Sequence, residues 1–366
     1  MVERFNICII GGGPAGLRAA IAAGSAGAEV LLIDENDRLG GQLIKQTHMF
    51  FGSEKQDAGT RGIDIAQQLV NKVQSMTNVK VYLRCAALGL YDDKVLTVLH
   101  EKKYRKIRAE KFIVATGASE RMLAFPGNDL PGVYGAGAVQ TLMNVYGIVP
   151  GQRVLMIGAG NIGLIVSYQL LQAGVEVVAI LEGSPHIGGY LVHASKVRRA
   201  GVPILTSHTI MQAIGTNAVQ AAEICALDSH WARLPGSEKT LEVDTICLAV
   251  GLSPLSDLLW QAQCRLTYIA ELGGHVAWRD ANLCTSEPHI YIAGDVAGVE
   301  EASSAMVEGE LAGLAAAKSL GLARVDVDTA MSQAREQLIA LRAGPVGEKI
   351  RTGLALAQMR GDEQHA

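Results

Sequence analysis

Phe5-Asn6-Ile7-Cys8-Ile9-Ile10-Gly11-Gly12-Gly13-Pro14-Ala15-Gly16, running on into Leu17-Arg18-Ala19-Ala20-Ile21-Ala22-Ala23, is the stretch that decides the fold. The apolar run before the glycines has the pattern of a buried parallel strand, and the alanine-rich run after them that of a helix. Gly11 suits a tight turn between the two. Gly13 has no side chain to hold a pyrophosphate away from the backbone, and Gly16 lets the helix pack closely on the strand. Pro14 and Ala15 complete the loop, and the helix start offers unpaired N–H groups and a positive dipole end to phosphate. A second apolar run, Ala28 to Ile33, ends in Asp34, with Glu35 next. A carboxylate at that strand end is expected to accept a hydrogen bond from a ribose hydroxyl. The alternative for this stretch alone is a tight strand-to-helix turn that holds no ligand.

The plan recurs once. Arg153 to Ile157 reads as a strand, Gly158-Ala159-Gly160-Asn161-Ile162-Gly163 as the loop, Leu164 to Ala173 as a helix and Val175 to Leu181 as the next strand, ending in Glu182. A carboxylate there accepts from an adenosine ribose and repels a 2′-phosphate. No Arg stands in Gly183-Ser184-Pro185-His186, where a phosphate clamp is expected, so a nicotinamide cofactor bound here is NAD rather than NADP. An adenine nucleotide, or no ligand, are the other readings of this loop. Two dinucleotides facing each other on one chain imply a flavin and a nicotinamide. The expected cofactors are therefore FAD at the first loop and NAD(H) at the second, with electron transfer as the chemistry.

A chain of 366 residues with 49% hydrophobic content can bury two sizeable cores, so two domains are expected. The net charge of −4, without a basic stripe, argues against nucleic acid as a partner. The first strand begins almost at Met1, which leaves no room for a signal peptide, and no apolar run reaches membrane-spanning length. A cytoplasmic protein without a membrane span is the expectation. The six cysteines, Cys8, Cys85, Cys225, Cys247, Cys264 and Cys284, include no pair with CxxC, iron–sulfur or zinc spacing, and no metal site is expected. Cys8 and Cys247 fall inside apolar strands and read as core residues.

Two further strands end alike: Lys111-Phe112-Ile113-Val114-Ala115-Thr116-Gly117 and Asp244-Thr245-Ile246-Cys247-Leu248-Ala249-Val250-Gly251. With the two loops, these residues resemble the flavoprotein family with two dinucleotide-binding domains, which includes thioredoxin reductase and glutathione reductase. The resemblance implies an α/β fold of two Rossmann-like domains, in which Ala115, Thr116, Gly117 and Gly251 mark crossings between the FAD and NAD domains. It extends to Ile290-Tyr291-Ile292-Ala293-Gly294-Asp295-Val296-Ala297-Gly298. By that resemblance Gly294 and Asp295 contact the ribityl chain or a flavin phosphate. The helix following, around Ser303 to Ala315, aims its N-terminus at the isoalloxazine. The FAD domain is then split over residues 1–120 and 252–325, the NAD domain is inserted at 121–251, and 326–366 form a helical tail. Asp328-Thr329-Ala330 starts a tail helix, and Leu338, Ile339 and Leu341 continue an apolar face. The tail covers the core or docks a partner.

A closer resemblance lies in Ala115 to Arg121, Phe125-Pro126-Gly127, Leu130-Pro131-Gly132-Val133 and Gly137-Ala138-Val139-Gln140, together with Gly40-Gly41-Gln42-Leu43 and Thr285-Ser286. These are similar to the FAD/NAD-binding alpha-type subunits of sarcosine oxidase, dye-linked proline dehydrogenase, opine oxidase and hydrogen cyanide synthase. In such complexes a separate subunit oxidises the amine. Many of these relatives add a cysteine-rich iron–sulfur segment beyond the flavin domain. This chain ends without one, so any such cluster lies on another subunit or is missing.

In disulfide reductases the redox cysteines follow the Gly-Gly of the segment after the acidic strand. Here Leu43 and His48 take their places, so no disulfide reductase activity is expected. His48 is a candidate proton donor over the flavin, or else an interface histidine. Lys45, Gly41 and Gln42 are candidates for flavin contacts. Three functions follow: the electron-transfer or nucleotide-binding subunit of an amino-acid or amine dehydrogenase complex; a stand-alone NADH-dependent reductase; or a chain whose second site holds a nucleotide for assembly or regulation. The expected partners are a second dehydrogenase subunit or further copies in a homo-oligomer, and a small-molecule or protein electron acceptor.

Overall fold

The computed structural model describes residues 2–50, 55, 57–322, 324–345 and 347–358. Of the expected first domain, residues 1, 51–54, 56 and 323 lie outside the described residues, as do 346 and 359–366 of the expected tail. Contacts divide the chain into two compact units, Met1–Ser119 with Ser253–Ala366, and Glu120–Leu252.

The first unit opens with β1 (Val2–Ile10), α1 (Pro14–Ser25), β2 (Val30–Ile33), α2 (Gly62–Gln74), β3 (Val79–Tyr82), β4 (Cys85–Leu90), β5 (Val95–His100) and β6 (Lys103–Val114). They build one sheet in the order β3-β2-β1-β6-β5-β4, with the strand Ile290–Ile292 also on β6. β3, β2, β1 and β6 run parallel, in the register Val79–Val30–Ile7–Lys111. Ile7, Cys8, Ile9 and Ile10 are all buried because helices and loops cover both faces there, which is why that half of β1 reads as an unbroken apolar run. β6 changes partner along its length. Lys103 to Arg108 pair antiparallel with β5, and Phe112 to Val114 pair parallel with Ile290–Ile292. Lys106 to Arg108 pair with β1 on one side and β5 on the other, so β6 joins the parallel layer to an antiparallel excursion.

α1 and the helix Ala302–Ser319 pack together at backbone distance. A Cβ at Gly309 would overlap the Ala15 carbonyl, and one at Gly313 would lie 2.5 Å from the Ala19 carbonyl oxygen. Small residues on both sides make that approach possible. The tail helices Val327–Leu341 and Glu348–Ala357 belong to this unit. The first is capped by Asp326, whose side chain accepts from the Thr329 amide at 3.2 Å. Its buried stripe is Val327, Met331, Ala334 and Leu338. Ile339 falls about a quarter-turn off that stripe and is 73% exposed, so the expected apolar face of Leu338, Ile339 and Leu341 is corrected at its middle member.

The second unit repeats the scheme. Its parallel sheet runs in the order Ile204–Thr206, Glu176–Glu182, Arg153–Ile157, Thr245–Leu248, Val133–Gly135. An antiparallel sheet of His208–Ile214, Ala221–Ala226 and Lys239–Glu242 leads back to it. The helix after the glycine loop is Asn161–Gln172, starting earlier than the Leu164 expected from hydropathy because Gly163 is accommodated within its first turn. Among the described residues, no helix is long and apolar enough to cross a membrane.

Candidate functional site

The first glycine loop is held from several directions. Gly11 sits at φ +105°, its amide donates to the Ile33 carbonyl at 2.9 Å, and a Cβ would overlap the Ala115 carbonyl oxygen. No L side chain fits that backbone or that space. The Ala115 amide in turn donates to the Ile10 carbonyl at 2.8 Å, which seats Ala115-Thr116-Gly117 beside the loop. A Cβ at Gly16 would overlap the Gly11 carbonyl, so helix and turn meet at backbone contact. Gly294, at φ +75°, would place a Cβ 2.9 Å from the Ala15 side chain. The Gly41 position, at φ +52°, would place one 2.6 Å from the Gly13 Cα. Gly11, Gly13, Pro14, Ala15, Gly16, Gly41, Ala115 and Gly294 therefore share one corner of the first unit.

Asp34 is buried and works on that corner. Its Oδ2 accepts from the Gly12 amide at 2.7 Å, and its Oδ1 from the Asn36 amide and side chain at 2.8 and 2.9 Å. The strand-end carboxylate thus tethers the loop. Glu35 is exposed and lines an open cleft of about 510 Å³ with Arg84, Ala86, Leu99, Glu101 and Lys102. Gln42 is exposed on the short turn Gly41–Lys45, which Lys45 closes. His48 stacks on Phe50 with ring centroids 6.1 Å apart. The Thr116 hydroxyl donates to the Leu255 carbonyl at 2.9 Å. Burial, with Glu308, Glu300 and Glu301 nearby, pushes the Asp295 carboxyl up to about 7.

The second loop has the same construction. Gly158, at φ +106°, donates its amide to the Leu181 carbonyl at 2.7 Å, and a Cβ would overlap the Ala249 carbonyl. Glu182 Oε2 accepts from the Ala159 amide at 2.9 Å and Oε1 from the Ser184 amide at 3.0 Å, matching the two backbone bonds of Asp34. Gly163 packs on the Gly158 carbonyl, Gly251 sits at φ +115°, and Ile162 is exposed. Asn161 Oδ1 accepts from the Tyr190 amide at 2.8 Å. The Gly189 amide donates to the Ala159 carbonyl at 2.9 Å, as Gly40 does to Gly12. Gly188-Gly189 are a pair that the motif reading misses. They begin six residues after Glu182, the same distance that separates Gly40 from Asp34, and that spacing is the available signal.

Both loops fit a dinucleotide pyrophosphate. Neither following helix has a side-chain cap on its N-terminus, and the N-cap residues are Gly13 and Gly160 in extended backbone. A Cβ on Gly160 would meet nothing within 4 Å, and one on Gly13 only the Gly41 Cα at 3.8 Å. The glycines at these two positions are not required by the fold. The space a Cβ would fill lies at uncapped helix amides, where an anion is stabilised.

All six cysteines are free; Cys8 and Cys247 lie in the cores, where burial pushes both far above the ordinary thiol range. Burial pushes Cys85, Cys264 and Cys284 up to about 11. Thiols so shifted are poor nucleophiles at neutral pH.

Known proteins share sequence and fold with this chain. The chain is 33% identical over 337 residues to the alpha subunit of sarcosine oxidase from Rhizobium meliloti, covering 88% of this chain and 30% of that one. It is 28% identical over 351 residues to the A-type subunit of opine oxidase from Agrobacterium tumefaciens, covering 90% and 69%. This chain therefore spans less than a third of the first relative's length. Among solved structures, L-proline dehydrogenase from P. horikoshii shares the fold with a TM-score of 0.68 at 23% identity, over 92% of this chain and 60% of that one. Residues 5–309 match the pyridine nucleotide-disulphide oxidoreductase family, and the chain belongs to that family of flavoprotein oxidoreductases.

Proposed function

We propose that this chain is the electron-transfer and nucleotide-binding subunit of an amino-acid or amine dehydrogenase complex, with FAD in the first unit and NAD(H) in the second. The observation that carries this reading is the repeated construction: a carboxylate-tethered glycine loop leading into an uncapped helix, once per unit. The names of the two relatives, each one subunit of an oxidase, support the partner, a separate subunit that oxidises the amine. When bound, FAD would accept a hydride equivalent and release its electrons to an acceptor.

The residues proposed to hold FAD are Gly11, Gly13, Pro14, Ala15, Gly16, Asp34, Glu35, Gly41, Gln42, Ala115, Thr116, Gly117, Gly294 and Asp295. The adenosine end would enter the cleft beside Glu35 and Arg84. The amides of α1 would stabilise the pyrophosphate, and the helix Ala302–Ser319 would direct its positive end toward the flavin ring. Gly158, Gly160, Asn161, Ile162, Gly163, Glu182 and Gly251 would hold NAD(H). Glu182, with no Arg in Gly183 to His186, would exclude a 2′-phosphate. His48 is proposed to hold a proton near the flavin and Lys45 to orient it. With Leu43 at one position of the redox cysteines, no disulfide would be reduced.

The intact second loop also favours a second reading, a stand-alone NADH-dependent reductase with a small-molecule or protein acceptor. One experiment separates the two. The purified full chain is mixed anaerobically with NADH and, separately, NADPH, and flavin absorbance is followed near about 450 nm. Rapid bleaching by NADH alone, with turnover on a diffusible acceptor, supports the reductase. Slow or absent bleaching, with reduction by an amine substrate once a co-purifying subunit is present, supports the dehydrogenase complex. A chain that neither retains nor takes up flavin refutes both.

A further inference from the structure

The loop from Ala293 to Glu301 joins the strand Ile290–Ile292 to the helix Ala302–Ser319 and carries Gly294 and Asp295. Its two ends are fastened to one guanidinium from the tail. At the start, the Gly294 amide donates to Glu308 Oε2 at 2.9 Å. At the end, the Glu300 amide donates to Asp295 Oδ1 at 3.4 Å. Arg342, immediately after the tail helix Val327–Leu341, binds both carboxylates. Its Nε and Nη2 donate to the two oxygens of Glu300 at 2.9 and 2.6 Å, and Nη2 also donates to Glu308 Oε1 at 2.5 Å. The side chains of Arg342, Glu300 and Glu308 are 12%, 8% and 4% exposed, so these are buried ion pairs. A planar fork with several donors can serve two carboxylates at once, which a lysine cannot do in the same geometry.

The charge balance makes the arrangement exacting. Glu300, Glu308, Asp295 and Glu301 are four carboxyls within one electrostatic neighbourhood, and Arg342 faces Glu300 and Glu308 together with Arg279. Arg279 is buried, and among the described residues its Nη1 donates to the Ala277 carbonyl at 3.4 Å. Among the described residues, Arg342 is the cation paired directly with Glu300 and Glu308. Its backbone is set from the second tail helix, because Arg351 Nη1 donates to the Arg342 carbonyl and, at 2.9 Å, to that of Gly344.

We propose that Arg342 is a positioning residue for the FAD site, and that the docked tail and the bound flavin stabilise each other through Glu300, Glu308 and the loop between them. The inference rests on the reading that FAD occupies the first unit. It makes the tail a working part of the cofactor site rather than a cover or a partner's handle. Because linkage is reciprocal, whatever the tail contributes to FAD affinity, FAD returns to the tail.

The test uses the full chain as wild type, Arg342→Gln, Arg342→Lys and Gly13→Ala. FAD affinity is measured on apo-protein by flavin fluorescence, and hydrogen exchange of residues 338–345 is measured with and without FAD. We expect FAD to slow exchange in that segment of the wild type. Arg342→Gln should abolish that slowing and weaken FAD binding by about 10- to 100-fold, roughly the loss of one charge-assisted bond. Arg342→Lys should fall between the two. Exchange in the tail that is indifferent to FAD in the wild type overturns the inference without recourse to any variant. So does an Arg342→Gln variant that binds FAD within twofold of the wild type while Gly13→Ala binds it weakly. If Gly13→Ala also binds normally, or if the wild type takes no FAD, the cofactor reading itself fails and the inference with it.

Discussion

Gly11→Ala and Gly13→Ala, two residues apart, should fail in opposite ways. Gly11 lies at φ +105°, and an added Cβ would collide with the Ala115 carbonyl oxygen. The left-handed conformation alone costs an L residue about 1–2 kcal/mol, and the collision with backbone adds to that. A loss of more than about 3 kcal/mol is a large share of the roughly 5–15 kcal/mol of a typical domain. Gly13 has φ −76° and ψ −171°, open to any residue, and its nearest neighbour to a new Cβ is the Gly41 Cα at an ordinary 3.8 Å. The cost to folding is then the helix-cap preference of glycine over alanine, about 1 kcal/mol. The methyl group would occupy the space proposed for the pyrophosphate. Displacing the phosphates from one charge-assisted amide bond costs about 1.5–3 kcal/mol, roughly 10- to 150-fold in Kd. Thermal or urea unfolding of the apo-proteins, paired with FAD titration by fluorescence, measures both quantities. The reasoning is refuted if Gly13→Ala binds FAD within twofold of the wild type, or if it loses as much stability as Gly11→Ala.

The same contrast should hold in the second unit. Gly160→Ala, with no neighbour inside 4 Å, should keep the fold and FAD content but weaken NADH binding at least tenfold in a titration, whereas Gly158→Ala should lower the melting temperature. Asp295, raised to about 7 in the folded chain from an ordinary 3.8, holds its proton more tightly folded than unfolded. Apo-protein stability should therefore fall as pH rises from about 4 to 7, by at most about 4 kcal/mol, and Asp295→Asn should flatten that arm in urea unfolding at pH 5 and 8. With Cys85, Cys264 and Cys284 pushed up to about 11, roughly one such thiol in 3,000 is ionised at pH 7.5. Native-state labelling by a thiol reagent should accordingly be slow, and alkylated protein should bind FAD as tightly as the unmodified chain; a fast-reacting essential thiol would contradict this.

The glycine loops are legible in the sequence because all their constraints are local. A buried strand, a turn that only glycine permits and a small-residue helix follow one another within about twenty residues, so Phe5 to Ala23 and Arg153 to Ala173 can be placed from pattern alone. The antiparallel excursions carry no such mark, since β4 and β5 and the strands between His208 and Glu242 owe their order to pairing across the sheet rather than to a motif. Asp34 and Glu182 read as ribose acceptors, and their tethering of Gly12 and Ala159 depends on loop closure that sequence spacing does not display. Arg342 is hidden for a plainer reason. It stands in a polar helical tail, and its partners lie 42 and 34 residues upstream, so only the packed tail makes it a buried cation.

The seam between α1 and the helix Ala302–Ser319 bears on how this fold tolerates change. Where Gly309 and Gly313 lie against Ala15 and Ala19, main chain touches main chain and no rotamer stands between the helices. Ordinary cores absorb a substitution by letting neighbouring side chains swing, with a spread of small displacements as the result. This seam has nothing to swing. The first turn of α1 is registered against its neighbour by peptide units alone, so drift elsewhere in the core leaves the glycine loop where it was, and even one methyl group at the seam would shift it as a rigid body. Random mutagenesis should find this line of four small residues among the least substitutable in the chain, although none of them carries a functional group.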